Sequence, residues 1–229
     1  MGADPQQLAS RYGYPRRPAT VSAAVSILAK APVAGLAKTR LIPALGAAGA
    51  ARAQRRFTIA AVHGARQSGL GPVTLWCAPD RSHRLFRALD AATGVAVLSQ
   101  ATGDLGDRMH RAAAHHFATP SAMPLLLVGT DCAVLAPGHL QQAARALADH
   151  DVVLIPAEDG GYVLIGMRRP VSEAFAGVAW STSAVLVQTR DRLRDAGASW
   201  LELKPLWDVD EPHDWSRLQH LLDPLEPTR

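Results

Sequence analysis

The chain has 229 residues, of which 48% are hydrophobic and 19% charged, with a formal net charge of +4. This suits one medium globular domain with ample core, and so small and scattered a charge excludes a nucleic-acid surface. No apolar run reaches the length of a membrane span, the N-terminus lacks the apolar core of a signal peptide, and Cys77 and Cys132 form neither a disulfide framework nor a zinc spacing, which fits a reducing cytoplasm.

Residues 1–20 are rich in Pro, Gln, Arg and Ala and are expected to be a loose extension, leaving 21–229 as one domain. Val25–Leu28 reads as a buried strand, followed by a helix within Leu45–Ser68 that stops near Gly69. A strand is expected at Val73–Cys77, a helix at Ser82–Ala91, a strand at Val95–Leu98 and a helix at Asp107–Phe117. Leu125–Val128 is a purely aliphatic strand, Pro137-Gly138 introduces a helix at Leu140–Ala148, and Val152–Ile155 is again a strand. The order then changes, because Glu158-Asp159-Gly160-Gly161 is a turn and Tyr162–Ile165 follows too closely for a helical crossover. A helix from about Thr182 to Asp195 is expected with Ser181 as its cap, then a strand at Trp200–Leu203 and a helix at Asp214–Leu222. The pattern predicts an α/β domain: a mainly parallel sheet flanked by helices, with an antiparallel strand in the C-terminal half.

Ligands of open parallel sheets bind beyond the carboxyl ends of the strands, and the chemically notable residues fall there. Lys30, Lys38 and Arg40 lie in the stretch Ala29-Lys30-Ala31-Pro32-Val33-Ala34-Gly35-Leu36-Ala37-Lys38-Thr39-Arg40-Leu41, between the first strand and the first helix. With backbone N–H groups at the helix start they would suit a di- or triphosphate; the alternative is a solvated basic loop. Asp131, at the end of the aliphatic strand, is placed to hold Mg²⁺ or Mn²⁺ bridging nucleotide phosphates, or merely to turn the strand into a loop. Asp208 and Asp210, within Trp207-Asp208-Val209-Asp210-Glu211-Pro212, offer either a second metal ligand or helix caps. His110, His115 and His116 read as a solvated helix face, Ser181 has no evident base, and the five tryptophans are too dispersed for a base-stacking platform.

Lys30-x-Pro32-x-x-Gly35-x-x-Lys38-Thr39-Arg40-Leu41 resembles the opening signature of a bacterial family of glycosyltransferase-A-fold transferases, known as DUF2064 and described as "glycosyltransferase, rSAM/selenodomain-associated". Gly103-Asp104-Leu105-Gly106-Asp107-Arg108-Met109, Gly129-Thr130-Asp131, Glu158-Asp159-Gly160-Gly161-Tyr162-x-Leu164-Ile165-Gly166 and Trp180-Ser181-Thr182 are similar to its later blocks, in order, from about Ser26 to about Leu222. The wider group includes phospholactate and molybdenum-cofactor guanylyltransferases and CMP-Kdo synthetases. The resemblance implies that the basic loop, with Ala29, Pro32, Gly35 and Lys38, lies over nucleotide phosphates. It implies Thr130 as a nucleotide-binding residue, Asp131 as principal metal ligand and Asp210 as the second. Gln100 and Gly103-Asp104-Leu105-Gly106 would lie near the base, where an amide reads a base edge. Glu158, Asp159, Gly160, Gly161, Tyr162, Trp180, Ser181 and Thr182 would face the acceptor or sugar. Ala133 stands where the family has a proline, and Glu211-Pro212-His213-Asp214 replaces a Thr-Pro-Glu-Asp of several relatives; neither change removes a carboxylate.

The expected function is a metal-dependent transferase acting on an activated nucleotide, foremost a nucleotide-sugar glycosyltransferase. In that role Lys30, Lys38 and Arg40 stabilise the leaving diphosphate, and Glu158 or Asp159 orients or deprotonates an acceptor hydroxyl. The alternatives are a nucleotidyltransferase that releases pyrophosphate from an NTP, and a nucleotide-binding module without catalysis. Partners are thus a nucleotide sugar or NTP and a small-molecule acceptor, with neither nucleic acid nor membrane.

Overall fold

The computed structural model of the protein describes residues 21–119 and 122–222, so the expected N-terminal extension lies outside the described residues. Seven strands form one sheet: β1 (Ala24–Lys30), β2 (Val73–Ala78), β3 (Ala96–Ser99), β4 (Leu125–Val128), β5 (Val152–Pro156), β6 (Tyr162–Met167) and β7 (Trp200–Glu202), in the order β3-β2-β1-β4-β6-β5-β7. β1 pairs in parallel with β2 and β4, β2 with β3, and β5 with β7, whereas β6 runs antiparallel to both β4 and β5. The expected α/β architecture with its late antiparallel strand is therefore the one observed.

Among the described residues there are six α-helices, α1 (Ile42–Gln67), α2 (Arg84–Thr93), α3 (Leu105–Phe117), α4 (Pro137–Ala146), α5 (Val185–Asp195) and α6 (Pro212–Leu222), the first five of which pack on the sheet. Side chains alternate across a strand, and the central strands are apolar on both faces. Val25, Ile27, Leu126, Val128, Val153 and Ile155 pack under α1, α2 and α4, whereas Leu125, Leu127, Val152, Leu154, Ile165 and Met167 pack under α3 and α5. A third, smaller core gathers Leu41, Ala50, Ala53, Phe57, Trp207, Val209 and Leu218 from the two ends of the described chain. It lies beside the carboxyl edge of the sheet and fixes the basic loop against the segment after β7.

The long first helix falls within the expected span: Gly46 (φ 66°, ψ 165°) is non-helical and separates it from a short turn that begins at Ile42; the left-handed φ is open to glycine without a side-chain clash. One local expectation is corrected. α5 begins at Val185 rather than Thr182, and Ser181 does not cap it: the N-cap is Ala184, and Ser181 sits in the left-handed region at φ 64°. The turn before α5 is held instead by Thr182, whose hydroxyl donates to the Ala179 carbonyl and accepts from the Ala184 N–H.

Candidate functional site

β1, β2, β4 and β5 end, and β6 begins, at one edge of the sheet, where a cleft of about 720 Å³ opens. Its wall includes Ala29, Lys30, Lys38, Arg40, Gln100, Leu105, Thr130, Asp131, Asp159, Gly161, Tyr162, Trp180, Ser181, Thr182 and Asp210 from the residues expected at the site. Pro32, Gly35, Gly103, Asp104, Gly106, Glu158 and Gly160 are not part of that wall.

The centre of the cleft is an ion cluster. After β7 the chain pairs beside β5 through an Ala157–Leu206 bridge, and the Val209 N–H donates to the Asp131 carbonyl at 2.9 Å. This crossing lays residues 208–210 against the end of β4. Lys38 reaches in from the basic loop, with its ammonium 2.8 Å from Asp131 Oδ1 and 2.6 Å from Asp210 Oδ1, and donates to the Val209 carbonyl at 2.9 Å. Its side chain is only 5% exposed, while those of Asp131 and Asp210 are 45% and 39% exposed. Its ammonium lies over the Phe57 ring of the third core, 5.8 Å from the centroid. Burial alone lowers the pKa of this ammonium, but the Asp131 and Asp210 carboxylates outweigh it and leave the pKa raised, so Lys38 is charged.

Asp208 is the third carboxylate of the cluster. Burial, and then the charges of Asp131, Asp159 and Asp210, push its pKa up to about 7, with Lys38 opposing. Gln54, missed in the sequence, supports the cluster from α1. It is buried and donates to Thr130 Oγ1 at 3.0 Å, and Thr130 in turn donates to Asp131 Oδ1 at 3.3 Å. The available signal was two polar residues, Gln54 and Thr58, at core positions of an otherwise Ala- and Phe-rich helix face.

The chemistry of the donor set suits a divalent cation. Two carboxylates converge on one point, and the Lys38 ammonium already stands there as a cation. Among the described residues no three His, Cys, Asp or Glu side chains form a metal cage. A hard cation at Asp131 and Asp210 would thus complete its shell with water or substrate phosphate, the usual arrangement for Mg²⁺.

Farther along the edge, Gln100 follows β3 and both N–H bonds of its amide are committed: Nε2 donates to the Ala29 carbonyl at 3.1 Å and the Trp76 carbonyl at 2.9 Å. Two carbonyl partners fix which end of the amide is nitrogen, and Oε1 is left as an acceptor. The Gly103–Asp107 block proves to be a helix start. Asp104 accepts from the Asp107 N–H and Asp107 from the Asp104 N–H, a capping box, and Arg108 donates twice to the Gly103 carbonyl while lining the cleft. Gly106 lies against Trp180, where any Cβ would clash with the indole Nε1.

On the opposite side, Glu158 is held by a two-pronged ion pair with Arg217, at 2.7 and 3.1 Å, which lowers its pKa below the usual carboxylate value. Arg217 also stacks over Trp207, 4.2 Å from the ring centroid. Asp159 faces the cleft and accepts the Gly161 N–H at 2.9 Å. Tyr162 contributes its ring to the cleft, edge-on to Trp180, but its hydroxyl is buried toward Thr189, which raises its pKa. The three histidines do not cluster: His110 stacks on Phe175, His115 meets the edge of Trp76, and His116 bonds the Met123 carbonyl at 2.7 Å. Both cysteines are free.

The sheet order, the antiparallel β6 and the carboxylate-bearing cleft define the nucleotide-diphospho-sugar transferase fold. The chain belongs to the family described as "Uncharacterized protein conserved in bacteria (DUF2064)", which matches residues 61–182. It is similar to the crystal structure of a proposed nucleotide-diphospho-sugar transferase from Desulfovibrio desulfuricans G20, at 26% identity and a TM-score of 0.81, over 89% of each chain. Two more distant structures share the fold. Rv0371c from Mycobacterium tuberculosis H37Rv, in complex with manganese, is 19% identical over 87% of this chain and 99% of its own, with a TM-score of 0.55. CMP:2-keto-3-deoxy-manno-octonic acid synthetase, complexed with CTP, is 14% identical over 88% and 98%, with a TM-score of 0.54. Among curated proteins none matches. No described helix is long and apolar enough to cross a membrane.

Proposed function

We propose that the protein is a metal-dependent transferase that uses an activated nucleotide, with a nucleotide sugar as donor. The observation that carries this reading is the meeting of the basic loop with Asp131 and Asp210 at the carboxyl edge of the sheet, in a cleft sized for a nucleotide and a small acceptor. The similarity to the Desulfovibrio desulfuricans protein supports the choice of a sugar donor. A divalent cation at Asp131 and Asp210 would neutralise charge on the leaving diphosphate. Lys30 and Arg40, exposed at the mouth, supply further positive charge to the phosphates. Gln100 presents an acceptor to the base. Asp159, rather than the Arg217-bound Glu158, is the carboxylate free to orient an acceptor hydroxyl.

Transfer of a nucleotidyl group is the second reading. It is favoured by the two exposed cations of the loop, which suit a triphosphate, and by the fold shared with the CTP-bound synthetase. Incubation with Mg²⁺ and either nucleotide sugars or NTPs, with assays for nucleoside diphosphate and pyrophosphate, separates the two. Pyrophosphate without nucleoside diphosphate overturns sugar transfer. Nucleotide binding that needs neither metal nor Asp131, seen by calorimetry of Asp131→Ala, would mark a non-catalytic module instead.

A further inference from the structure

The Lys38 ammonium is turned toward protein partners. It donates to Asp210 Oδ1 at 2.6 Å and to the Val209 carbonyl at 2.9 Å, and forms an ion pair with Asp131 Oδ1 at 2.8 Å, although it belongs to the loop expected to hold a phosphate. It also occupies the point on which the two carboxylates converge. A divalent cation there would share the same Oδ1 atoms with an ammonium at contact distance, and like charges so close repel strongly.

We propose that Lys38 is a resident counter-cation of the Asp131–Asp210 pair, and that it and a divalent metal are alternative occupants, so the metal enters together with nucleotide phosphate and not ahead of it. The proposal rests on the nucleotide-transferase reading for the second half of that statement and on geometry alone for the first. Three features support it. The carboxylates are half-exposed toward the cleft while the ammonium is buried behind them, so an incoming cation meets oxygens that Lys38 already neutralises. Two carboxylates are a sparse shell for a free hard cation, which needs other oxygens that a di- or triphosphate brings. Finally, Lys38 has a left-handed backbone (φ 48°, ψ 48°), a conformation unfavourable for a residue with a Cβ. Exchange of its side-chain contacts for a phosphate would let the loop leave that conformation and carry its lysine onto the nucleotide.

The test is Mn²⁺ binding to the full chain, followed by electron paramagnetic resonance of the free ion, for wild type and Lys38→Met, with and without imido analogues of the four NTPs. Without nucleotide, Lys38→Met is expected to bind Mn²⁺ at least about tenfold more tightly than wild type. Wild type is expected to gain Mn²⁺ affinity by a similar factor when an analogue is present. A lysine with a merely structural role predicts the opposite sign, since its loss would loosen the carboxylates. Equal or weaker Mn²⁺ binding by Lys38→Met overturns the proposal, as does wild type binding Mn²⁺ equally well with and without a bound analogue. Lys38→Gln, which removes the charge but keeps an N–H donor on a shorter side chain, serves if the methionine variant does not fold. If no NTP analogue binds in any arm, the arms are repeated with nucleotide sugars; failure of both kinds of nucleotide to bind overturns the transferase reading, while the comparison in Mn²⁺ alone still decides the role of Lys38.

Discussion

At the scale of single residues the site depends on a few close approaches. Gly106 lets the first turn of α3 lie against the Trp180 indole, and Trp180 in turn meets the Tyr162 ring edge-on. Gly106→Ala is expected to push the indole aside and cost about 1–3 kcal/mol. In a Trp180→Ala background that cost should largely vanish, a coupling that a double-mutant cycle by denaturant unfolding measures. The residue types at the site were legible in the sequence: a carboxylate at the end of an aliphatic strand and cations in a strand-to-helix loop point to phosphate and metal on chemical grounds. Their pairings were not. That Lys38 sits on Asp131 and Asp210, that Arg217 ties up Glu158, and that Asp104 and Asp107 cap each other are facts of distance, and residue type does not carry distance.

Among the elements, the junction of β5 with β7 shows how local charge holds the sheet edge. Asp151 accepts from Arg168, Arg169 and both the N–H and hydroxyl of Ser199, and the two guanidinium bonds lead in holding its carboxyl well below the usual range. A depressed pKa contributes stability above the unfolded value, near 4 for aspartate, that is lost as pH falls through the folded one. Asp151→Asn should therefore be less stable than wild type by about 1–3 kcal/mol at pH 7, and the gap should shrink as pH drops below about 4, as urea midpoints across pH would show. In the third core, Phe57→Ala is expected to cost about 3–5 kcal/mol in thermal or denaturant unfolding, and to weaken nucleotide binding because the ring shares a cluster with Leu41 and faces the Lys38 ammonium. Most strands and helices were legible because their apolar runs and periodicities are strong. The start of α5 was not, since a Ser-Thr pair signals a cap wherever it stands, and here the Thr182 hydroxyl closes a local turn ahead of the helix instead.

For the whole molecule, ligand linkage gives the broadest test. Any nucleotide bound only by the folded state, at about a hundred times its dissociation constant, adds about 2.7 kcal/mol, which for a domain of this size raises the melting temperature by about 5–10 °C. A thermal-shift screen of nucleotides and nucleotide sugars with Mg²⁺ should show that shift for the true donor and a smaller one for Asp131→Ala. The α/β class was legible from the alternation of elements, but the sheet order was not, because β6 enters between β4 and β5 by long-range pairing. One consequence concerns how the protein comes into being. The third core and the Lys38–Asp210 ion pair both join residues near 40 to residues near 210, so the site is closed by almost the last described part of the chain. A nascent chain that has emerged as far as Leu203 already carries all seven strands, yet lacks Asp208, Asp210, Trp207 and α6. On the ribosome, then, the basic loop has no carboxylate at Asp210 to meet until the segment after β7 has emerged. A protease cut after Leu203 would return the protein to the same state: a sheet intact in outline, with half of its ion cluster gone.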